Sequence, residues 1–206
     1  MSRDDRRVRA SSGTLNPVMS AVTDTENAAA PDDVFRIALV CLGNICRSPM
    51  AATVLHDKLD RAALADRVVV ESGGLGSWHL GEPADIRARQ VLRRHGYDAD
   101  AHRARQVDAA WFDRVDLMLA MDRQNLAELL ALAPDESSWN AIQMFRTYDP
   151  GADDYNLDIP DPYYGDEADF EHAIALIQDT SDGLVRTIEA ELTDGDDHGE
   201  NSAAAS

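Results

Sequence analysis

Cysteine is nearly missing from this sequence: it occurs twice in 206 residues, as Cys41 and Cys46. A disulfide scaffold needs several cysteines spread along the chain, so that class is excluded. Two thiols this close together, with no second Cys or His pair beside them, also make a poor zinc site, and no metal or other cofactor is expected. Lysine occurs once, as Lys58, and 19 basic residues face 38 acidic ones, for a formal net charge of −19. The ends do not explain this. With four basic and six acidic residues before position 34 and five acidic after 190 set aside, the middle still carries about −12. Nucleic acid and anionic membrane surfaces both demand a basic face, so neither is expected as a partner. The field of the whole chain opposes an anionic substrate, and any attraction for one must be local. No apolar run reaches the roughly 18 residues of a membrane span. The arginine-bearing start lacks the continuous apolar stretch of a secretory signal, so the cytosol is the expected location.

What is present suffices for one core, with apolar residues at 44%. Residues 1–33 have no apolar period, and residues 193–206 are small, polar and acidic. Neither segment can bury enough apolar surface to offset the entropy of ordering, and both are expected to be disordered. Met19 offers an alternative start to the protein. The folded domain is expected at 34–192.

Within it, short apolar runs alternate with helical patterns. Residues 34–41 read as a buried parallel strand, followed by a loop at 42–48 and a helix opening at Ser48-Pro49. A second strand is expected at 67–71, a helix at 84–95 ending at Gly96, and a third strand at 115–120. A helix over 122–132, a fourth strand at 141–146, a long loop at 148–165 and a last helix over 167–191 complete the order. This alternation predicts an α/β fold: a single doubly wound domain with a central four-stranded parallel sheet flanked by helices. Ligands in such folds bind beyond the carboxyl ends of the strands, which directs attention to the loop after the first strand.

That loop reads Cys41-Leu42-Gly43-Asn44-Ile45-Cys46-Arg47-Ser48-Pro49. Passing from a strand into a helix N-terminus, it can converge several backbone N–H groups on one anion, helped by the helix dipole. Gly43 permits a positive φ, and Asn44 tolerates left-handed geometry. Arg47 can return its guanidinium to the loop centre and grip a phosphoryl group bidentately. The same positive surroundings favour Cys41 as a thiolate nucleophile. Ser48 can donate to that thiolate, cap the helix, or do both in turn. In a chain whose strong bases are nearly all arginine, an arginine six residues after a cysteine is weak by itself; the whole string on a strand–loop–helix junction is not.

VCLGNICRSPMA resembles the signature of the low-molecular-weight protein tyrosine phosphatases, in particular their actinobacterial-like bacterial members. VESGGLGSWHLGEPAD, VLRRHGYDADAHRARQV, DLMLAMDRQNL and DIPDPYYGDEADFE resemble the family in order and spacing, so the likeness covers about residues 34–190. The resemblance implies Asp161 as general acid, flanked by Pro160 and Pro162, which restrict its loop. It implies Asn44, Ser72 and His95 as the network holding the phosphate loop, with Asp122 near the acid loop. His95 as a helix C-terminal cap and Asp122 as a helix N-cap are the structural readings of the same residues. Leu42, Trp78, Tyr163 and Tyr164 are implied as walls for a substrate ring. Cys46 is either a redox partner for Cys41 or a small buried filler.

The expected activity is hydrolysis of phosphotyrosine and small aryl phosphates through a cysteinyl-phosphate. Phosphotyrosine proteins would be the partners and the enzyme a monomer or weakly self-associating. Thioredoxin-coupled arsenate reductases share the loop but relay a disulfide through a third cysteine, which this chain lacks. Protein-arginine phosphatases carry Thr where this chain has Ile45. A catalytically silent phosphotyrosine-binding module should have lost Cys41, Arg47 or Asp161, and all three are present.

Overall fold

A computed structural model of the chain describes residues 34–200, with side chains to 193; the expected disordered segment 1–33 and residues 201–206 lie outside the described residues. Four strands, β1 (Phe35–Cys41), β2 (Val68–Gly74), β3 (Leu117–Ala120) and β4 (Ile142–Met144), form one all-parallel sheet in the order β2-β1-β3-β4. The chain leaves β1 toward one edge to make β2, then crosses back to make β3 on the other side. Such a reversal opens a crevice at the carboxyl end of β1, which is where Cys41 stands.

Burial on both faces explains why the inner strands β1 and β3 are nearly continuous apolar runs. Along β1, Phe35, Ile37, Leu39 and Cys41 face one core, while Ala38 and Val40 face the other. The first core is closed by α1 (Arg47–Arg61), α2 (Ile86–Arg94) and α4 (Glu167–Glu200). Helix α1 contributes Met50, Ala51, Val54, Leu55 and Leu59, and α4 contributes Phe170, Ile174, Ile177, Leu184 and Ile188. The second core lies under α3 (Arg123–Leu132) and a 3-10 turn at Ala109–Asp113, where Leu129 and Trp111 meet Met118, Ala120 and Met144. Among the described residues no helix is long and apolar enough to cross a membrane.

Several boundaries differ from the sequence reading. Strand β2 runs on through Ser72-Gly73-Gly74, paired with Leu39, Val40 and Cys41, past the strand end expected at 71. Gly73 lies under Val107 and Trp111, where a Cβ would stand 2.4 Å from the valine and 3.0 Å from the indole. The glycines therefore belong to a strand that another segment crosses closely. Strand β4 ends at Met144, because the chain turns at Phe145 into a 3-10 turn that buries Phe145, Arg146 and Tyr148. Helix α4 continues to Glu200, past both the expected helix end at 191 and the expected start of the tail at 193. Each residue added to an existing helix gains one hydrogen bond without a new nucleation cost.

Helix α4 also fixes the turn after β4. A Cβ on Gly183 would stand 1.7 Å from the carbonyl oxygen of Tyr148, a backbone atom that cannot swing aside. Alanine would gain about 1 kcal/mol of helix propensity, but the clash with backbone costs more, about 2–4 kcal/mol. Gly183→Ala is expected to destabilise the fold by about 1–3 kcal/mol in a urea titration, where propensity alone predicts a gain.

Candidate active site

The site is built around the loop joining β1 to α1. Asn44 carries the strained step, with φ at 55°. Gly43 lies outside the left-handed region; its lack of a side chain matters for space, since a Cβ there would press on the His79 ring at 3.2 Å. The Asn44 side chain is satisfied on all sides. Its Nδ2 donates to Ser48 Oγ at 2.9 Å and to Ser72 Oγ at 3.0 Å, and its Oδ1 accepts from the Arg105 N–H at 2.8 Å. These bonds hold a conformation that would otherwise cost about 1–3 kcal/mol.

The loop carbonyls point outward into partners. Leu75 N–H donates to Cys41 O, Gly76 N–H to Leu42 O, Asp85 N–H to Ile45 O and Met50 N–H to Cys46 O. The Asn44 carbonyl accepts from His102 Nε2 at 2.8 Å. With its acceptors engaged outside, the loop keeps its N–H groups for an oxyanion, and Asn44 N–H already lies 3.3 Å from Cys41 Sγ. Gly74 permits this packing, because a Cβ there would meet Asn44 and Gly43 backbone at 3.0 Å.

Cys41 is buried at the floor, its Sγ 3.0 Å from Ser48 Oγ. The N-cap position of α1 falls on Cys46 without a side-chain bond, so Ser48 serves the sulfur and does not cap the helix. Ser48 Oγ accepts from Asn44 and has one proton to give, either to Cys41 Sγ or to Gly73 O at 3.3 Å. A thiolate claims that proton, and a thiol leaves it to Gly73.

Arg47 is buried and enclosed by acceptors. Its Nη1 donates to Asp122 Oδ2 at 2.5 Å and to Ile159 O at 3.2 Å, and its Nη2 donates to Asp161 Oδ2 at 2.6 Å. Burial by itself would weaken its hold on the proton, but the negative charge at Cys41, Asp161 and Asp122 more than compensates and raises its pKa. Arg47 Nε has no protein partner. Asp122 fills both of its proposed places: Oδ1 accepts from Asn125 N–H at 2.7 Å as the N-cap of α3, and Oδ2 holds Arg47.

A cavity of about 320 Å³ opens above Cys41, lined by Leu42, Gly43, Ile45, Cys46, Arg47, Trp78, His79, Asp161, Tyr163 and Tyr164. Trp78 is 71% and Tyr164 96% exposed, so the rings stand at a mouth rather than in a core. The Trp78 ring lies over Gly76, where a Cβ would reach within 1.8 Å of it. Tyr163 and Tyr164 meet edge to face at 4.9 Å. Cys46 lies in the wall, and burial pushes its thiol up, so it stays protonated.

One expected residue is elsewhere. His95 is the C-cap of α2, where its Nε2 bonds Glu171 at 2.8 Å, and it takes no part in the Asn44–Ser72–Ser48 network. The imidazole at the loop is His102, seven residues on, in a segment that returns beneath Asn44. Gly96 ends α2 and directs the chain away from His95, so helix geometry assigns His95 to the helix end. The sequence reading also passed over His79, Arg87 and Arg146, which carry no local motif.

A cysteine at the end of the first strand, an inward arginine at the following helix start and a carboxylate brought over from a distant loop define a cysteine-dependent phosphatase. Residues 36–194 match the model of the low molecular weight phosphotyrosine protein phosphatases, and the chain belongs to that family. It is 42% identical over 158 residues to a low molecular weight protein-tyrosine-phosphatase of Streptomyces coelicolor, covering 77% of this chain and 96% of that one. Its fold is similar to the crystal structure of YfkJ from Bacillus subtilis, with a TM-score of 0.72 and 33% identity over 79% of this chain and 99% of that one. It is also similar to a Drosophila arginine phosphatase, with a TM-score of 0.67 and 31% identity over 73% of this chain and 95% of that one.

His102 gives two tests of the loop. Burial, reinforced by Arg105 and Arg103 and opposed by the bond to Asn44, lowers it below its ordinary 6.5. Between that lowered value and 6.5 the unfolded chain binds more protons than the folded one. Stability should therefore fall as pH drops below about 6.5, and level off once folded His102 also charges. His102→Ala strands the Asn44 carbonyl and is expected to cost about 1–3 kcal/mol and to weaken inorganic phosphate binding. His95→Ala loses an exposed pair, should cost at most about 1 kcal/mol, and should leave phosphate binding unchanged.

Proposed function

We propose that the enzyme hydrolyses phosphotyrosine in proteins, and small aryl phosphates, through a cysteinyl-phosphate intermediate. The observation that carries this is Cys41 Sγ at the floor of an aromatic-walled cavity, with Arg47 and Asp161 converging above it. The thiolate attacks phosphorus in line; the S–P bond forms as the P–O bond to the phenol breaks. Arg47 and the loop N–H groups hold the equatorial oxygens, and the unpartnered Arg47 Nε is one donor free for them. Protonated Asp161 gives its proton to the departing phenolate, a contribution typically of about 10²–10⁴-fold. Its carboxylate then takes a proton from water, which attacks phosphorus, breaks the S–P bond and releases phosphate and the thiolate.

The free enzyme keeps Asp161 paired with Arg47, so phosphate must take over that contact and release the carboxylate toward the leaving group. Leu42, Trp78, Tyr163 and Tyr164 suit a flat phenyl ring. A second reading, phosphoarginine hydrolysis, has the likeness to the Drosophila arginine phosphatase behind it. Ile45 in the cavity lining weighs against it, since an apolar side chain cannot bond the extra N–H groups of a guanidinium. Two free thiols at the site suit a reducing compartment, and we assign the enzyme to the cytosol.

Phosphotyrosine, phosphoserine and phosphoarginine peptides, offered with EDTA present to wild type and Cys41→Ser, test the assignment. Metal-independent release of phosphate from phosphotyrosine, abolished in the variant, is the expected result. Preference for phosphoarginine would overturn the substrate, and tight binding without turnover would point to a binding module. Protonated Cys46 is not the first target of peroxide. It can condense with a Cys41 sulfenic acid, forming the S–S bond and releasing water. Peroxide inactivation is accordingly expected to be reversed by dithiothreitol in wild type and to become largely irreversible in Cys46→Ser.

A further inference from the structure

The residues around Asp161 have no regular structure, yet they bring a carboxylate within 2.6 Å of a buried arginine. Pro160 and Pro162 flank it, and proline has no N–H to donate. A loop poor in donors must be held largely by its acceptors. Three arginines supply that hold. At the N-terminal side stands Arg146, 3% exposed in the turn after β4. Its Nη1 donates to Asn156 O at 2.7 Å, to Asn156 Oδ1 at 2.9 Å and to Asp158 O at 3.3 Å. Its Nε and Nη2 pair with Asp149 Oδ2 at 3.2 and 2.9 Å, which balances the buried charge. At the C-terminal side Arg87 Nη2 donates to Tyr163 O at 2.9 Å and Nη1 to Gly165 O at 3.2 Å. Asp85 steadies this guanidinium, and it stacks over Phe170 at 4.7 Å. Arg47 takes Ile159 O between them, and Ile159 N–H donates to Met121 O at 2.8 Å.

Asp161 thus hangs between two guanidinium clamps. Neither Arg146 nor Arg87 lines the cavity. We propose that Arg146 and Arg87 are positioning residues for proton transfer: by gripping carbonyls on either side of Asp161 they set where its carboxylate can stand. This rests on Asp161 being the general acid. A displacement of about 1 Å in a catalytic group can cost about a hundredfold in rate. Loss of a clamp should therefore be felt where the leaving group needs a proton, and much less where it does not.

The test measures kcat/KM of the full chain on nitrophenyl phosphate, whose leaving group departs readily as an anion, and on phenyl phosphate and phosphotyrosine, whose leaving groups need protonation. Competitive inhibition by inorganic phosphate monitors the phosphate loop, and Asp161→Asn sets the benchmark. Arg146→Met and Arg87→Met are each expected to lose about ten- to a hundredfold on phenyl phosphate and phosphotyrosine. On nitrophenyl phosphate the loss should stay within about threefold, and phosphate inhibition within about twofold. Should Arg146→Met not fold, the half-exposed Arg87→Met carries the same readout. Equal losses on all substrates, as a generally loosened fold would give, or no loss, would overturn the positioning role while Asp161→Asn stays selective. If Asp161→Asn itself is not selective, the acid assignment fails instead.

Discussion

A guanidinium buried beside the cavity above Cys41 is the constraint around which the site is arranged. Leaving the charge of Arg47 uncompensated away from water would cost several kcal/mol. It is compensated by Asp122 from the start of α3, Asp161 from the acid loop and the Ile159 carbonyl. Two segments far apart in sequence are thereby drawn to the first turn of α1. The same arrangement reconciles a chain of net charge −19 with an anionic ligand. The repelling field is diffuse and screened within about 8–10 Å in salt, whereas Arg47 and the loop amides act at hydrogen-bond distance. The two carboxylates answer the charge when no anion is bound, and one of them, Asp161, is the group we propose as general acid.

The parts of this arrangement legible in the sequence are those whose meaning is local. Cys41, Asn44, Arg47 and Ser48 lie in one short string at a strand–helix junction, and Asp161 lies between prolines. Asp122 was legible as either a cap or a site residue, and it is both because its two oxygens face different ways. Ser72-Gly73-Gly74 falls outside the strand expected at 67–71 because nothing in those residues announces the indole and valine that cross Gly73. The supporting imidazole was misassigned for a related reason. His95 and His102 are both near the end of α2, and only the course of the chain after Gly96 decides which one returns beneath Asn44. Arg87 and Arg146 were invisible because what they recognise is main-chain oxygen, which no residue type signals. Arg87 reaches the Tyr163 carbonyl across 76 positions.

The phosphate loop and the acid loop solve opposite problems with the same backbone groups. The phosphate loop must aim N–H groups inward, so its carbonyls are tied outward by Leu75, Gly76, Asp85 and His102. The acid loop has given up donors to two prolines in exchange for stiffness, so it is anchored through its carbonyls. That second solution needs a side chain that can bond several acceptors in one plane while its charge is neutralised. Arg47, Arg87 and Arg146 each take at least one carbonyl together with at least one carboxylate. A guanidinium has five donors in a rigid fork, whereas an ammonium offers three on a flexible stem and suits a point charge. The single lysine fits that division: Lys58 sits on α1 and pairs with one carboxylate of α4, Asp182, well away from both loops. At these three positions, then, the preference for arginine over lysine follows from the way the acid loop is held.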